Sequence, residues 1–347
     1  MAGRGGSAGI KDVARLAGVS VGTVSNVLNK PASVSAERRE QVERAIEQLG
    51  YVPNVAARQL KAGVSRAIGL VVIDTQNPFY GAIALEAEEA AEERGLGLFV
   101  ANSHRRHAKE EFYLSQFEEQ RARGVLVTPG ASDLSRHRAV ARRGTKVVLV
   151  DSVEHEHDFC TVAADDFHGG YLAVSHLAAM GRRRIMVIGG PQRFRQIGRR
   201  RAGAMQATIE AGDVQLEYIE PSEMSIREGR AVTEQILDSG RQLPDAIFAM
   251  NDLLAIGALQ SLVMNRNIAV PGDVALVGYD DIDFCADAVV PITSVRQPSG
   301  EMGRRAVELL EVEILEGKDH VHRSVVLEPD LVTRESTVGG RAKSATV

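Results

Sequence analysis

The chain has little aromatic and thiol chemistry. Of its 347 residues 4% are aromatic, none is tryptophan, and two are cysteine, Cys160 and Cys285. Two cysteines are too few for a disulfide scaffold, and each lies near an apolar run, so we expect both to be reduced and packed. No apolar run is long enough to span a membrane, and the Gly-rich first ten residues lack the apolar segment of a signal peptide. The sequence therefore predicts a cytoplasmic protein without a membrane partner.

Motifs of the common enzyme classes are also missing. Neither a phosphate-binding loop nor a GxGxxG pattern follows the first apolar run, and no serine elbow or catalytic carboxylate pair stands out. His155, Glu156, His157 and Asp158 are ligand-type residues, but two histidines on one helix face need i, i+4 spacing, so this stretch fits a solvated acidic loop better. We predict a binding protein, not an enzyme, with no cofactor and no metal.

What the chain does have is length, apolar residues and unevenly distributed charge. At 347 residues and 44% hydrophobic, it is large enough for two or three domains. Residues 1–66 hold ten Lys or Arg and five Asp or Glu, so this part carries +5 and the rest −10 of the total of −5. A basic head on an acidic body is expected of a nucleic-acid-binding module joined to a domain that does not bind DNA.

Residues 10–29, IKDVARLAGVSVGTVSNVLN, have the pattern of two short helices joined by a tight turn. Gly18 permits the turn, Val19 can fill the angle between the helices, and Ser20 can cap the second helix. The first helix is predicted to bury an apolar stripe of Ile10, Val13, Ala14, Leu16 and Ala17, and the second a stripe of Val21, Val24, Val27 and Leu28. The small and polar residues between favour a helix-turn-helix over an ordinary helical hairpin.

A third helix and a linker are expected next. Ser35 can cap the third helix and Gly50 can end it. Asn54 can then cap a short helix, VAARQLKAG, which at about nine residues is too short to be stable alone. A plain linker whose Leu60 packs on the body is the alternative.

From Ala67 short apolar runs alternate with helical stretches, which predicts parallel sheets covered on both faces. The expected strands are 68–73, 96–101, 124–129, 146–151, 184–190, 246–252, 274–281 and 292–298. They form two sets, before and after about residue 162, which indicates two lobes. Polar residues end several strands, namely Asp74, Asp151, Asn251 and Asp280. Ligands bind beyond the carboxyl ends of parallel strands, and such acceptors suit a polyhydroxylated molecule, although strand-end Asp and Asn also cap helices.

The head motif, and more loosely the chain to about Thr333, resembles the LacI/GalR family of bacterial transcription regulators. The resemblance implies an α-helical helix-turn-helix head and an α/β, periplasmic-binding-protein-like core of two Rossmann-like lobes with parallel sheets. The expected parts are a flexible leader (1–9), the helix-turn-helix domain (10–50), a linker and hinge helix (51–65), an effector-binding and dimerisation core (66–338) and a flexible tail (339–347). Within the core, lobe one covers about 66–162 plus 296–328, and lobe two about 163–295 plus 329–338.

The resemblance implies that the second helix reads the major groove while paired hinge helices open the minor groove, with Leu60 as the apolar wedge. Gly22 and Asn26 match recognition positions, and Asn26 can pair bidentately with adenine. Hydroxyl, amide and lysine side chains beside them suit phosphate contacts. The predicted DNA-binding residues are Val21, Gly22, Thr23, Ser25, Asn26, Asn29, Lys30, Asn54, Ala57, Leu60 and Lys61.

By the same resemblance a small-molecule effector occupies the cleft between the lobes. The matching positions are Phe79, Tyr80, Asp165, Arg200, Met224, Asn251 and Asp280, with Asp166 as the alternative to Asp165 and core packing as the alternative for Phe79. We expect a repressor of a sugar-utilisation operon that binds palindromic operator DNA as a homodimer, since the tail lacks a leucine heptad for tetramerisation. The alternatives are a purine- or metabolite-responsive or activating regulator of the same family and, less favoured, a solute-binding protein.

Overall fold

The computed structural model describes residues 8–52, 65–131, 133–152, 158–191 and 194–339. Two compact units divide between Val64 and Ser65. Among the helices in these ranges, none combines the length and apolar character needed to cross a membrane. Several predicted features lie outside the described residues: most of the leader, the hinge residues Asn54, Ala57, Leu60 and Lys61, the residues His155, Glu156 and His157, and nearly all of the tail.

The head unit contains three helices, α1 (Ile10–Leu16), α2 (Val21–Asn29) and α3 (Ala36–Leu49). Val13, Val24 and Val42, one from each helix, are completely buried and form the centre of its core. The turn between α1 and α2 depends on Gly18, whose φ of +66° would cost a residue with a side chain about 1–2 kcal/mol. Gly50 ends α3 in the left-handed conformation, as predicted.

Three expectations for the head were wrong in detail. Leu16 is 49% exposed, because it lies on the outer face of α1 and not on the stripe that meets α2 and α3. Val21 is 41% exposed at the start of α2. Ser35 occupies the cap position of α3, but its side chain accepts no capping hydrogen bond.

The second unit contains two six-stranded sheets, as the two-lobed fold class requires. The strands are β1 (Ala67–Val72), β2 (Gly97–Asn102), β3 (Gly124–Val127), β4 (Lys146–Val150), β5 (Cys160–Ala164), β6 (Arg184–Ile188), β7 (Gln215–Ile219), β8 (Ala246–Ala249), β9 (Ala275–Asp280), β10 (Thr293–Arg296), β11 (Ser324–Leu327) and β12 (Asp330–Val332). Sheet one has the order β11-β5-β4-β3-β1-β2, and sheet two the order β12-β10-β9-β8-β6-β7. All pairs are parallel except β10 with β12.

Helices connect and cover the strands. They are α4 (Pro78–Glu92), α5 (His107–Glu119), α6 (Ser135–Arg142), α7 (Asp166–Ala179), α8 (Arg195–Ala211), α9 (Ile226–Asp238), α10 (Asp252–Leu259), α11 (Ser299–Glu316) and α12 (Glu335–Val338). The chain passes between the sheets after β5, after β10 and after β11, and α11 returns to pack on α4 and β4 of sheet one. Each crossing brings the carboxyl ends of strands in one sheet towards those of the other.

The strand predictions missed four elements and misplaced one boundary. The missed strands are β5, β7, β11 and β12, of which the last three are short strands at or next to a sheet edge with polar or half-exposed residues. The expected lobe division at about residue 162 falls inside β5, which belongs to sheet one along its whole length. Cys160 and Cys285 are both buried free thiols, as expected.

Candidate functional site

The predicted DNA-reading face of the head is the outer side of α2. Val24 and Val27 are buried against α1 and α3, which turns the remaining residues of α2 outward. Ser20 accepts a hydrogen bond from the Thr23 backbone N–H at 3.0 Å, so the helix begins where predicted. Of the predicted DNA-binding residues that the structure describes, Val21, Gly22, Asn26, Asn29 and Lys30 are exposed, and Thr23 and Ser25 are half-buried.

Asn29 differs from Asn26 in its local bonding. Its Nδ2 donates to the Ser25 carbonyl at 2.7 Å and lies 3.3 Å from the Ser25 hydroxyl. The side chain therefore braces the last turn of α2. A residue held in this way fits a fixed backbone contact better than base readout, which keeps Asn26 as the base-reading candidate.

The second unit has a cavity where the carboxyl ends of strands from both sheets meet. It encloses about 400 Å³ of space free of atoms, part of it open to solvent. Its walls are Ile73, Asn77, Phe79, Tyr80, Arg105, Asp151, Phe194, Gln196, Ile197, Arg200, Met224, Asn251 and Asp280. Six of the seven predicted effector-binding residues line it, all except Asp165.

Arg200, on α8, is held rigidly from three sides. Its Nε donates to Asp166 Oδ1 at 2.8 Å and its Nη1 to the Met250 carbonyl at 2.6 Å. The guanidinium carbon lies 3.7 Å from the centre of the Tyr279 ring. Burial lowers the pKa of Arg200, but the surrounding carboxylates, Asp166 first, raise it above its ordinary value, so the cation persists at every relevant pH. The cavity thus contains a fixed, pre-oriented positive charge.

Asp151 and Asp280 join the two lobes across the cavity. Asp280, the last residue of β9, accepts from Asn77 Nδ2 of lobe one at 2.9 Å and from Gln297 Nε2 at 2.8 Å. Asp151, which follows β4, accepts from Gln196 Nε2 of lobe two at 3.0 Å. Both aspartates have positive φ, +110° for Asp280 and +56° for Asp151, a strained backbone that is common at functional sites.

Burial makes the carboxyl groups of Asp151 and Asp280 weaker acids than usual. It raises the pKa of Asp151 to about 7, with Asp166 adding to the effect, and the pKa of Asp280 to about 6. Tyr80 donates its hydroxyl to Asp151 Oδ2 at 3.0 Å. Asp151 Oδ1 is buried and has no hydrogen-bond partner among the described residues. This atom is therefore available to a ligand hydroxyl or N–H group.

Two predicted residues combine a structural role with a place in the wall. Asn251 Oδ1 caps α10 by accepting from the Leu254 N–H at 2.9 Å, while Asn251 also lines the cavity. Phe79 is 3% exposed, packs edge to face on Tyr80 and belongs to the core as well as to the cavity wall. The alternatives were helix capping for Asn251 and core packing for Phe79. Each residue has its alternative role and also lines the cavity.

Neither Asp165 nor its predicted alternative Asp166 lines the cavity. Its Oδ1 caps α7 by accepting from the Phe167 and His168 backbone N–H groups, and it lies 3.2 Å from Arg199 Nη2 outside the cavity wall. Asp166, one residue further, points inward and binds Arg200 and the Tyr279 hydroxyl. Successive helical residues point about 100° apart, so one position separates a cap from a buried ion pair.

Sequence reasoning did not include three polar wall residues: Asn77, Arg105 and Gln196. Asp151 was predicted as a strand-end acceptor of the cleft but was not among the effector-binding positions that family resemblance implies. Asn77 precedes Pro78, a common start of a helix, which also signals a strand-to-helix turn. Arg105 is oriented by Asp74, whose Oδ2 lies 2.8 Å from its Nη2. Nothing in the local sequence around Arg105 and Gln196 marks them, because the fold alone brings them to the cleft.

A helix-turn-helix head joined to a two-lobed core with a polar cleft defines a ligand-responsive DNA-binding regulator. Residues 9–54 match the family model of bacterial regulatory proteins, lacI family, and residues 174–337 match that of a periplasmic binding protein-like domain. The HTH-type transcriptional repressor PurR of Aliivibrio fischeri (strain ATCC 700601 / ES114) is 33% identical over 339 residues, which is 96% of this chain and 99% of PurR.

Solved structures agree with the sequence match. The transcriptional regulator CelR in complex with cellobiose is 33% identical, with a TM-score of 0.71, and the match covers 95% of this chain and 99% of CelR. The lac repressor dimer bound to operator and the anti-inducer ONPF is 26% identical, with a TM-score of 0.83 over 96% of this chain and 99% of that one. The chain belongs to the LacI family of bacterial regulatory proteins, and it is a DNA-binding transcription repressor and not an enzyme, as predicted.

Proposed function

We propose that this repressor binds a near-palindromic operator as a homodimer in the cytoplasm, and that a sugar in the cleft controls its affinity for the operator. Each subunit reads one half-site through α2, with Asn26 on a base edge and Lys30 on a phosphate. The hinge residues Asn54, Ala57, Leu60 and Lys61, outside the described residues, stay assigned to the minor groove by family resemblance.

The chemistry of the cavity supports a polyhydroxylated ligand. The observation that carries the proposal is the buried Asp151 Oδ1, which has no partner among the described residues and faces the same cavity as Asp280 and Arg200. Carboxylates accept from sugar hydroxyls, and an arginine donates to ring or hydroxyl oxygens. Phe79 and Phe194 supply apolar surface for the C–H face of a sugar ring. The solved relative CelR holds cellobiose, which supports the same ligand class here.

The two lobes are poised for control by such a ligand. Among the described residues, the Asn77–Asp280 and Gln196–Asp151 hydrogen bonds connect side chains of the two lobes at the cavity. A ligand hydroxyl that competes for either carboxylate changes the balance between closure states of the lobes. The resulting coupling between ligand and operator is expected to be about 1–3 kcal/mol, typical of allosteric proteins.

An apolar surface on lobe one supports the homodimer. Leu85 on α4 and Phe99 and Val100 on β2 are 58%, 61% and 49% exposed. β2 is the edge strand of sheet one and packs against α4, so the three residues lie near this edge, with Phe99 and Val100 on opposite faces of the strand. An apolar edge of this kind needs to be covered, and a second copy covers it by two-fold symmetry. The lac repressor structure, a dimer bound to operator, supports the same assembly.

The test is a thermal-shift screen of the full-length protein against monosaccharides, disaccharides and nucleobases, followed by operator binding with each hit. A ligand at about 100 times its Kd adds about 2.7 kcal/mol to the stability of the state that binds it. We expect a sugar to raise the melting temperature and to change operator affinity. A nucleobase hit without any sugar hit would replace the sugar by the purine alternative.

Two carboxylate variants test whether the ligand binds in the cavity. Asp151→Ala should lose the shift caused by the sugar, because it removes the unpaired acceptor in the cavity. Asp165→Asn is the matched control. It changes the carboxylate that caps the start of α7 and does not line the cavity, so the shift should persist. Loss of the shift in Asp165→Asn alone would move the ligand away from this cavity.

A further inference from the structure

A cluster of metal-ligating side chains lies at the opposite end of sheet one from the cleft. Cys160 is the first residue of β5, Glu313 lies in the last turn of α11, and His320 and His322 lie between α11 and β11. Each offers one ligand atom, and these atoms all lie within 4.8 Å of one another. The cleft residue Asp151 follows the last residue of β4, so the cleft lies at the carboxyl ends and the cluster at the amino ends of the strands of the same parallel sheet.

The geometry of the cluster is close to that of a four-coordinate site. Cys160 Sγ lies 3.1 Å from His320 Nε2. For zinc with sulfur at about 2.3 Å and nitrogen at about 2.0–2.1 Å, neighbouring ligand atoms of a tetrahedron are about 3.3–3.8 Å apart. The rings of His320 and His322 meet edge to face with centroids 5.1 Å apart. Small side-chain rotations therefore bring the four atoms to binding distance.

The surroundings orient the ligands. Glu316 Oε2 lies 2.7 Å from His320 Nδ1, which places the proton on Nδ1 and leaves Nε2 free to bind a metal beside Cys160. The Arg323 backbone N–H donates to Cys160 Sγ at 3.4 Å, a contact that favours a thiolate. Carboxylate-oriented histidine is the usual arrangement around protein-bound zinc.

Two atoms in the cluster lack any other explanation. Glu313 Oε2 and His322 Nδ1 are buried and have no hydrogen-bond partner among the described residues. The Glu313 residue is only 5% exposed, and Lys146 Nζ, at 3.6 Å, faces its other oxygen, Oε1. An unpaired buried polar atom is destabilising, and a bound cation would give both atoms a partner.

We propose that Cys160, Glu313, His320 and His322 bind one Zn²⁺ ion. A thiolate and a carboxylate neutralise its two positive charges, and the sulfur, nitrogen and oxygen donors match the zinc preference for such mixed sets. Four protein ligands leave no open position, so the ion is structural. It ties the end of α11 to the starts of β5 and β11 and so fixes the helix that returns from lobe two to lobe one.

The site belongs to this chain's own residues and is independent of the identity of the cleft ligand.

The experiment uses untagged full-length protein that has been stripped with a chelator. Zinc content after dialysis, thermal stability with and without Zn²⁺, and the absorption spectrum with Co²⁺ as a probe are measured. We expect one zinc per chain, a raised melting temperature and a thiolate-to-cobalt charge-transfer band. A stripped protein that takes up no zinc above background would overturn the proposal.

Variants locate the ion. Cys160→Ser should remove the charge-transfer band, and His322→Gln and Glu313→Gln should each weaken zinc binding at least tenfold. Cys285→Ser, a change at the other buried cysteine, and the double variant His155→Gln/His157→Gln should bind as the parent does. If binding is lost in the histidine double variant and retained in His322→Gln, the proposal is wrong. His322→Gln decides the outcome alone if Cys160→Ser does not fold, because its ring is only partly buried.

Discussion

The predicted reading face of α2 and the wall of the cleft both carry polar side chains, but the two sites are built in opposite ways. Val21, Gly22 and Asn26 are exposed and face away from the head core. Arg200 and Asp280 are 4% and 6% exposed and fully engaged with neighbours. In the head, the residues predicted to contact DNA are separate from the buried core that stabilises the helices. In the cleft, the side chains predicted to contact a ligand are themselves part of the buried network, and Asp280 also accepts a hydrogen bond from the other lobe.

Among substitutions that test this difference between head and cleft, the largest effect on core stability is expected at Arg200. Arg200→Ala leaves Asp166 buried without its cation and removes the group stacked on Tyr279. We expect a loss of about 3–5 kcal/mol in the free energy of unfolding of the core, measured by denaturant melts, together with loss of the response to the ligand. Operator binding under conditions where the core is folded should persist.

Arg199, on the same helix, is the control. It is 41% exposed in an ion pair with Asp165, so Arg199→Ala should change stability by no more than about 1 kcal/mol. Equal stability of the two variants would mean that the buried pair at Arg200 is not part of the stabilising network.

A smaller effect is expected at Asn26, confined to DNA recognition. Asn26→Ala removes an amide able to pair with adenine, so one position of each half-site should lose about 1–3 kcal/mol of discrimination while the head remains as stable as before. Operator libraries read by sequencing measure this change.

Lys30→Ala provides the contrast to Asn26→Ala. As a phosphate contact, Lys30 should affect all sequences alike and reduce the dependence of log K on log salt by about one unit. A uniform loss in Asn26→Ala would make Asn26 a phosphate contact as well.

The smallest effect is a pH dependence of core stability. The pKa of Asp151 is raised from 3.8 to about 7 by burial and by Asp166, so the folded protein keeps a proton that the unfolded chain releases. The free energy of unfolding should therefore fall as the pH rises from about 4 to about 7. Asp151→Asn should remove part of this slope in melts across that range. An unchanged slope would assign the pH dependence to the other buried carboxyls.

Those other carboxyls limit the size of the Asp151 effect. Burial raises the pKa of Asp280 to about 6 and that of Asp252 to about 8, so both titrate in an overlapping window and preserve most of the slope in the variant. Asn26 on the head contributes no such dependence, because its amide side chain carries no ionisable group. The comparison between an exposed reading face and a buried cleft thus extends to their response to pH.

Much of the head could be predicted from sequence because its signals are local. Helical spacing placed Val13 and Val24 in the core, and Gly18 and Gly50 marked the turn and the helix end. The cleft was predicted partly from the rule for strand ends and partly from family resemblance, which selected Arg200 and Met224. The partners of these residues were not predicted, because they come from distant parts of the chain.

The sequence by itself determined the three-helix head and the alternating α/β core, since periodicity, turn residues and strand ends depend on neighbours in the chain, and family resemblance added part of the cleft wall. Only the tertiary structure separated the helix cap Asp165 from the buried ion-pair partner Asp166, because one residue of helical rotation turns a cap into a buried ion pair. It also brought Cys160 to Glu313, His320 and His322, across more than 150 residues of sequence. Such a cluster has no signature in the chain, because chain crossings between the lobes, and not spacing, bring its members together.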